Sequence, residues 1–193
     1  MKVNKIVFAT RNPNKLKEVS STTTGFEIIG LKDLKITEEI PETGFTLKEN
    51  ALQKAKYVYD KTGLDCFSDD TGLEIEALNY RPGLYSAMYA GPSCNAENNV
   101  RKVLLELGDS QNRRAVFKTV IALILDGREY FFEGAVRGGI LKEKRGEDGF
   151  GYDPIFRPIG YKESFAEMSI AQKNEISHRG LAVKKLIKFL ASV

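Results

Sequence analysis

A chain of 193 residues with 42% hydrophobic and 28% charged side chains has the size and make-up of an ordinary water-soluble domain with room for a real core. Its 29 Lys and Arg against 26 Asp and Glu leave a formal charge of +3, too mild to argue for nucleic acid or an anionic membrane. The apolar run in "MKVNKIVFAT" is too short for a signal core, and "VIALIL" has the length of a buried strand and not of a membrane span, so a cytoplasmic protein is expected. Cys66 and Cys94 lack the spacing of a disulfide framework or a zinc site, which leaves any metal to hard oxygen ligands and favours Mg²⁺.

In chain order, "KIVFA" (5–9) reads as a buried strand followed at once by helix-start chemistry at Asn12 and Pro13. "FEIIGL" reads as a second strand. "TLKENALQKAKYVYDKTG" reads as a helix, with Thr46 and Glu49 in capping-box register and Leu47, Ala51, Ala55 and Val58 on one face. "LDCFSDD" and "LEIEAL" read as two strands separated by a Thr71-Gly72 turn, the second alternating Leu73, Ile75 and Ala77 against Glu74 and Glu76. "AENNVRKVLLELG" reads as a helix closed by Gly108. "RAVFKTVIALIL" and "REYFFEGAVRGGIL" flank Asp126-Gly127, the strongest hairpin signal in the chain. "LAVKKLIKFLA" is amphipathic, with Val183, Leu186, Ile187 and Leu190 on one stripe, and the chain's single histidine, His178, stands just ahead of it. No repeat or linker interrupts residues 1–193, so one α/β domain on a mixed sheet is expected.

Three stretches depart from purely structural chemistry. In "ATRNPNKLKEV" a lysine, Lys15, stands in the first turn of a helix capped by Asn12. The helix dipole disfavours a cation there by about 0.3–1 kcal/mol. Backbone N–H groups, the Thr10 hydroxyl and Lys15 would together suit a phosphate; an exposed, solvated lysine is the alternative. In "FSDDTG", Asp69 and Asp70 follow an apolar strand, where carboxylates hold a cation or take a proton from water, or simply serve a turn. Glu42 in "PETG" adds a third carboxylate. In "RGEDGFGYDPIF", Gly146, Gly149 and Gly151 surround Phe150 and Tyr152, a composition that lets main chain and rings close over a flat ligand, or that forms an ordinary loop.

The stretches "TRNPNKLKEV", "PETGFTLKENALQKA", "SDDTGLEIEAL", "RPGLYSAMYAG", "GFGYDPIF" and "AEMSIAQKNEISHRG" resemble, in order, the motifs of the Ham1 or inosine triphosphate pyrophosphatase family, from about residue 5 to residue 182. The resemblance implies an elongated mixed β-sheet flanked by helices, two lobes with a central nucleotide cleft, and a homodimer. It implies Mg²⁺-dependent hydrolysis of ITP, dITP and XTP to the monophosphate and pyrophosphate. Carried over by position, Thr10, Asn12, Lys15 and Lys54 go to the phosphates, Glu42 and Asp70 to the metal, and Asp70 to the general base with Asp69 beside it. Phe150, Gly151, Tyr152 and Asp153 go to the base and sugar, completed by Lys173, His178 and Arg179. Thr71 takes a position often held by serine, and Arg11 stands where glycine is frequent, beside the phosphate loop.

Which of Asp69 and Asp70 takes the proton is open at this stage. For His178 the resemblance implies a hydrogen bond to the purine 6-keto group, which would separate hypoxanthine and xanthine from adenine; a capping role in the last helix is the alternative. A Maf-like pyrophosphatase with another base preference and a non-catalytic nucleotide- or RNA-binding module are the rival readings.

Overall fold

Strand β1 (Lys5–Phe8) lies between two parallel partners, β2 (Glu27–Gly30) and β3 (Cys66–Ile75), with Phe8 opposite Gly30 on one side and Phe67 on the other. The computed structural model describes residues 5–23 and 25–193, so the first four residues of the stretch read above against a signal segment lie outside it. The sheet continues through β5 (Arg114–Leu125), β6 (Arg128–Ile140) and β7 (Phe156–Pro158), with the two-residue β4 (Pro82–Gly83) paired antiparallel to β3. Parallel and antiparallel pairs thus share one mixed sheet, as expected of an α/β chain. The helices are α1 (Pro13–Thr22), α2 (Leu47–Thr62), α3 (Ala96–Leu107), α4 (Ile170–Ile176) and α5 (His178–Leu190).

The chain forms two compact units, each built from separated segments. One comprises residues 1–70, 119–134 and 178–193; the other comprises 71–118 and 135–177. In the first, strand residues alternate between two cores. Ile6, Phe8, Phe67, Ile121 and Leu123 pack with Val19 of α1 and with Val183, Leu186 and Leu190 of α5. Val7, Ala9, Cys66, Ala122 and Ile124 pack with Ala51, Ala55 and Val58 of α2. The period of two in a strand therefore sends α1 and α5 to one face and α2 to the other. In the second unit, α3 supplies Val100, Val103 and Leu107 to a core that also holds Leu73, Ile75 and an aromatic group of Phe117, Phe156 and Phe165. The Phe117 and Phe156 rings meet edge to face, 4.7 Å between centroids.

Local signals account for most boundaries. The Asn12 side chain caps α1, Gly63 ends α2 in the left-handed region at φ 67°, and Asp126 and Gly127 turn the β5–β6 hairpin with φ of 48° and 74°. Two expectations are corrected. There is no turn at Thr71-Gly72: β3 runs straight through, because residues 66–70, 72, 73 and 75 are buried and a turn would strand their backbone groups. The alternation expected to bury Ala77 ends at Ile75, where a 3-10 turn (Glu76–Leu78) exposes Ala77 and buries Leu78. Helix α4, too short for a periodic apolar face, is announced in the sequence only by Ser169 and Gln172, which form a full capping box.

Candidate functional site

Continuity of β3 decides the chemistry of its two aspartates, since adjacent residues of a strand point to opposite faces. Asp69, 2% exposed, turns to the α1–α5 side, and Asp70, 8% exposed, turns to the α2 side. Buried carboxylates need partners, and the two find different ones.

Both oxygens of Asp69 are engaged by cations. Lys15 Nζ lies 2.9 Å from Oδ1, and Arg179 Nε lies 2.9 Å from Oδ2. Arg179 reaches on through Nη1 to Glu18 Oε2 at 2.5 Å, so α5, β3 and α1 are joined by a chain of four charges, three of them buried and Lys15 half-buried. Burial alone would raise the Asp69 carboxyl, but Lys15, Arg179 and Lys54 outweigh it and hold the group well below the ordinary carboxylate range. Lys15 in the first turn of α1 is thereby explained: its ammonium spans from the helix to a strand carboxylate. The N–H groups expected to be free at this junction are taken. Asn12 Oδ1 accepts from Asn14 N–H at 2.9 Å and Lys15 N–H at 3.3 Å, and Thr10 Oγ1 accepts from Asn12 N–H at 3.2 Å. Arg11 is exposed.

Asp70 is held more loosely. Lys54 Nζ donates to its Oδ1 at 3.3 Å and Asn50 Nδ2 to its Oδ2 at 3.4 Å. Burial raises its carboxyl, and the opposing pull of Lys54 and Lys15 does not cancel that effect together with repulsion from Glu42 and Asp69. Lys54 also donates to Glu42 Oε1 at 2.6 Å, so the loop and strand carboxylates meet at one ammonium. Burial disfavours the charged lysine, yet Asp70, Glu42 and Asp69 together raise it above an ordinary lysine. Where a buried ammonium is favoured between two carboxylates, a hard divalent cation is favoured by the same field. Glu42 and Asp70 are oxygen donors of the kind that would hold a hard divalent cation; among the described residues no group of three or more His, Cys, Asp or Glu converges as a metal cage.

In the second unit Asp153 and Lys173 are each 3% exposed and pair at 2.5 Å. Asp153 Oδ2 also accepts from Phe150 N–H at 2.7 Å, and Lys173 Nζ lies 5.0 Å from the centre of the Phe150 ring. The pair thus fixes the backbone and one face of Phe150, which remains half-buried. Gly149 is required here by space as well as by its φ of 76°, because a Cβ would meet the Asp153 side chain. Tyr152 is turned inward, its hydroxyl donating to Ser86 O at 2.8 Å, and Gly151 and Thr71 are half-buried. His178 is 3% exposed and is the first residue of α5, not a residue ahead of it.

Sequence reasoning had singled out neither Asn50 nor Glu18. Asn50 stands one helical turn before Lys54 and Glu18 three residues after Lys15, so helical spacing from each lysine was the available signal.

The match to known proteins spans nearly the whole chain. The model of the Ham1 family matches residues 6–189. A dITP/XTP pyrophosphatase of Christiangramia forsetii is 50% identical over 97% of this chain and 99% of its own, and one of Porphyromonas gingivalis is 53% identical over 97% and 98%. Among solved structures, the Staphylococcus aureus Ham1 protein superposes with a TM-score of 0.87 at 38% identity, covering 98% of this chain and 99% of its own. A continuous β3 with its two aspartates, the six motifs and this full-length agreement leave one assignment: the chain belongs to the Ham1 family.

Proposed function

We propose that residues 1–193 act as one nucleoside triphosphate pyrophosphatase domain that converts dITP, ITP and XTP to the monophosphate and pyrophosphate with Mg²⁺. The relatives named dITP/XTP pyrophosphatase support the reaction class. The observation that carries the assignment of roles is the contrast between the two aspartates, one neutralised by Lys15 and Arg179, the other raised and only loosely held.

In this reading Asp70 is the general base. A water adds to the α-phosphorus, its proton passes to the Asp70 carboxylate, and the bond to the departing pyrophosphate breaks. An unperturbed carboxylate, with a pKa near 3.9, is a weak base at neutral pH, and burial moves Asp70 in the useful direction. Bound to Glu42 and Asp70, Mg²⁺ would offset phosphate charge and acidify the attacking water. Lys54 and Lys15 offset the negative charge that builds on the leaving group, with Thr10 and Asn12 shaping the loop beside them. Asp69 keeps Lys15 aimed, and Arg179 keeps Asp69 aimed. Phe150 offers its ring to the purine, with Gly151, Tyr152, Asp153 and Lys173 forming its support. His178 is assigned to the purine O6 and Thr71 to a hydroxyl contact with the nucleotide.

A homodimer in the cytoplasm completes the proposal. Tyr80, Tyr85 and Met88, at 64%, 61% and 49% exposure, supply apolar surface for a second copy. No helix among the described residues is long and apolar enough to cross a membrane.

The deciding assay measures pyrophosphate and orthophosphate separately from dITP, ITP, XTP, ATP and GTP, with and without Mg²⁺. Pyrophosphate from the first three, dependent on the metal, is the expected result. Orthophosphate alone would place attack at the γ-phosphorus and overturn the mechanism; a preference for pyrimidine nucleotides would move the chain to a Maf-like activity, and binding of oligonucleotides without any product would make it a binding module.

A further inference from the structure

The loop that carries Glu42 is fastened to α2 by side chains of the helix. Three consecutive N–H groups each donate to a different one: Thr43 to Gln53 Oε1 at 2.9 Å, Gly44 to Asn50 Oδ1 at 2.8 Å, and Phe45 to Glu49 Oε2 at 2.7 Å. The last bond shifts the expected capping box by one residue: Thr46 accepts from Glu49 N–H as expected, but the Glu49 carboxylate returns to Phe45. Gly44 is demanded by this close approach, because a Cβ would stand 2.6 Å from Glu49 Cβ and 2.8 Å from Asn50 Oδ1. The loop therefore lies against the helix backbone with no space to shift inward.

Of the three fastening side chains, Asn50 alone among them also reaches β3. It is 4% exposed and donates through Nδ2 to Asp70 Oδ2 at 3.4 Å. An amide has a donor end and an acceptor end, and here each is matched, the acceptor to the Gly44 N–H and the donor to the Asp70 carboxylate. One helical turn later Lys54 contacts the other oxygen of Asp70 and also Glu42. Asn50 thus touches the strand carboxylate directly and the backbone two residues beyond the loop carboxylate.

We infer that Asn50 is a positioning residue that sets the Glu42 loop in register with Asp70, so that the two carboxylates present one donor pair to a divalent cation. The inference rests on the proposed reading that these two carboxylates take the metal of the substrate complex. Lys54 balances their charge but sits on a flexible stem, whereas Asn50 is short and bonded at both ends. Fixing the separation of the carboxylates falls to Asn50 for that reason.

The test compares the wild type with Asn50→Ala, which removes both contacts, and Gly44→Ala, whose added Cβ would stand 2.8 Å from Asn50 Oδ1 and so breaks the loop end of the Asn50 bridge. Three readings are taken: amide hydrogen exchange of residues 42–46, Mn²⁺ binding to the nucleotide-free protein by electron paramagnetic resonance, and kcat and KM with dITP. In Asn50→Ala, exchange in 42–46 rises by about tenfold or more while the second half of α2 stays protected. Mn²⁺ affinity falls by about tenfold, and kcat falls more than KM rises. Gly44→Ala reproduces the exchange and Mn²⁺ changes, and carries the test by itself if Asn50→Ala does not fold. Wild-type exchange in 42–46, or raised exchange with unchanged Mn²⁺ affinity in either variant, overturns the inference. If the wild type hydrolyses no nucleotide, the proposed function fails, while exchange and Mn²⁺ binding still decide the role of Asn50.

Discussion

Asp69 and Asp70 are neighbours in sequence with opposite surroundings: Asp69 is clasped by Lys15 and Arg179 at 2.9 Å each, and Asp70 meets only longer contacts from Lys54 and Asn50. Their positions on opposite faces of β3 separate a carboxylate held by two cations from one that is loosely held. Replacing each with its amide should have different consequences.

Asp69→Asn leaves the buried Arg179 and Glu18 and the half-buried Lys15 with one negative charge too few. Removing one partner of a buried ionic group costs about 3–5 kcal/mol, so a large fall in unfolding midpoint is expected at pH 7. The Asp69 carboxyl is depressed in the folded state, so its contribution is fully present above the ordinary carboxylate pKa near 3.9 and is lost as pH falls through the depressed value. Denaturant titrations across acid pH should show wild type and variant converging; a constant gap would mean that the charge of Asp69 is not the source.

Asp70→Asn should retain the fold and lose turnover by about 100-fold or more. The Asp70 carboxyl is raised, so its ionised form opposes folding above that raised value, and the penalty vanishes below the ordinary one. The variant is therefore expected to unfold at the same temperature as the wild type or higher at pH 7. Wild-type turnover in this variant would remove Asp70 from the mechanism.

Arg179→Lys tests the bridge between Asp69 and Glu18. A single ammonium cannot reproduce two directed guanidinium contacts from one buried position, and a loss of about 2–3 kcal/mol is expected. With Asp69 less firmly held, kcat should fall as well. Glu18→Gln should give a smaller loss of the same kind, and a double-mutant cycle between the two positions would measure their coupling.

Gly134→Ala addresses how α5 meets the sheet. A Cβ at this point of β6 would run into the carbonyl of His178 and the amide of Ala182, both backbone atoms of the helix. Overpacking of this kind costs about 1–3 kcal/mol, and pushing the helix outward would also move Arg179. Thermal unfolding together with dITP turnover checks this, both decreasing. An unchanged midpoint would show that the helix has room to shift.

Periodicity and capping made most elements legible in the sequence. Asn12 with Pro13, Thr46 with Gly63, and Asp126 with Gly127 are local chemistry, decided within a few residues and therefore visible without the fold. The motifs that name the Ham1 family were visible for the same reason. The strand through Thr71 and Gly72 was not, because a threonine and a glycine after two aspartates satisfy turn chemistry locally, and only burial of this stretch overrides it. The partners of the aspartates were equally out of reach: Lys15 to Asp69 spans 54 residues of sequence, Arg179 to Asp69 spans 110, and which face of β3 each aspartate takes depends on where α1, α2 and α5 pack. Sequence by itself determined most of the elements, the family and the residue types available for the chemistry, since these depend on neighbours along the chain. Tertiary structure alone decided which carboxylate is neutralised by cations and which is loosely held, since charge and desolvation act through space.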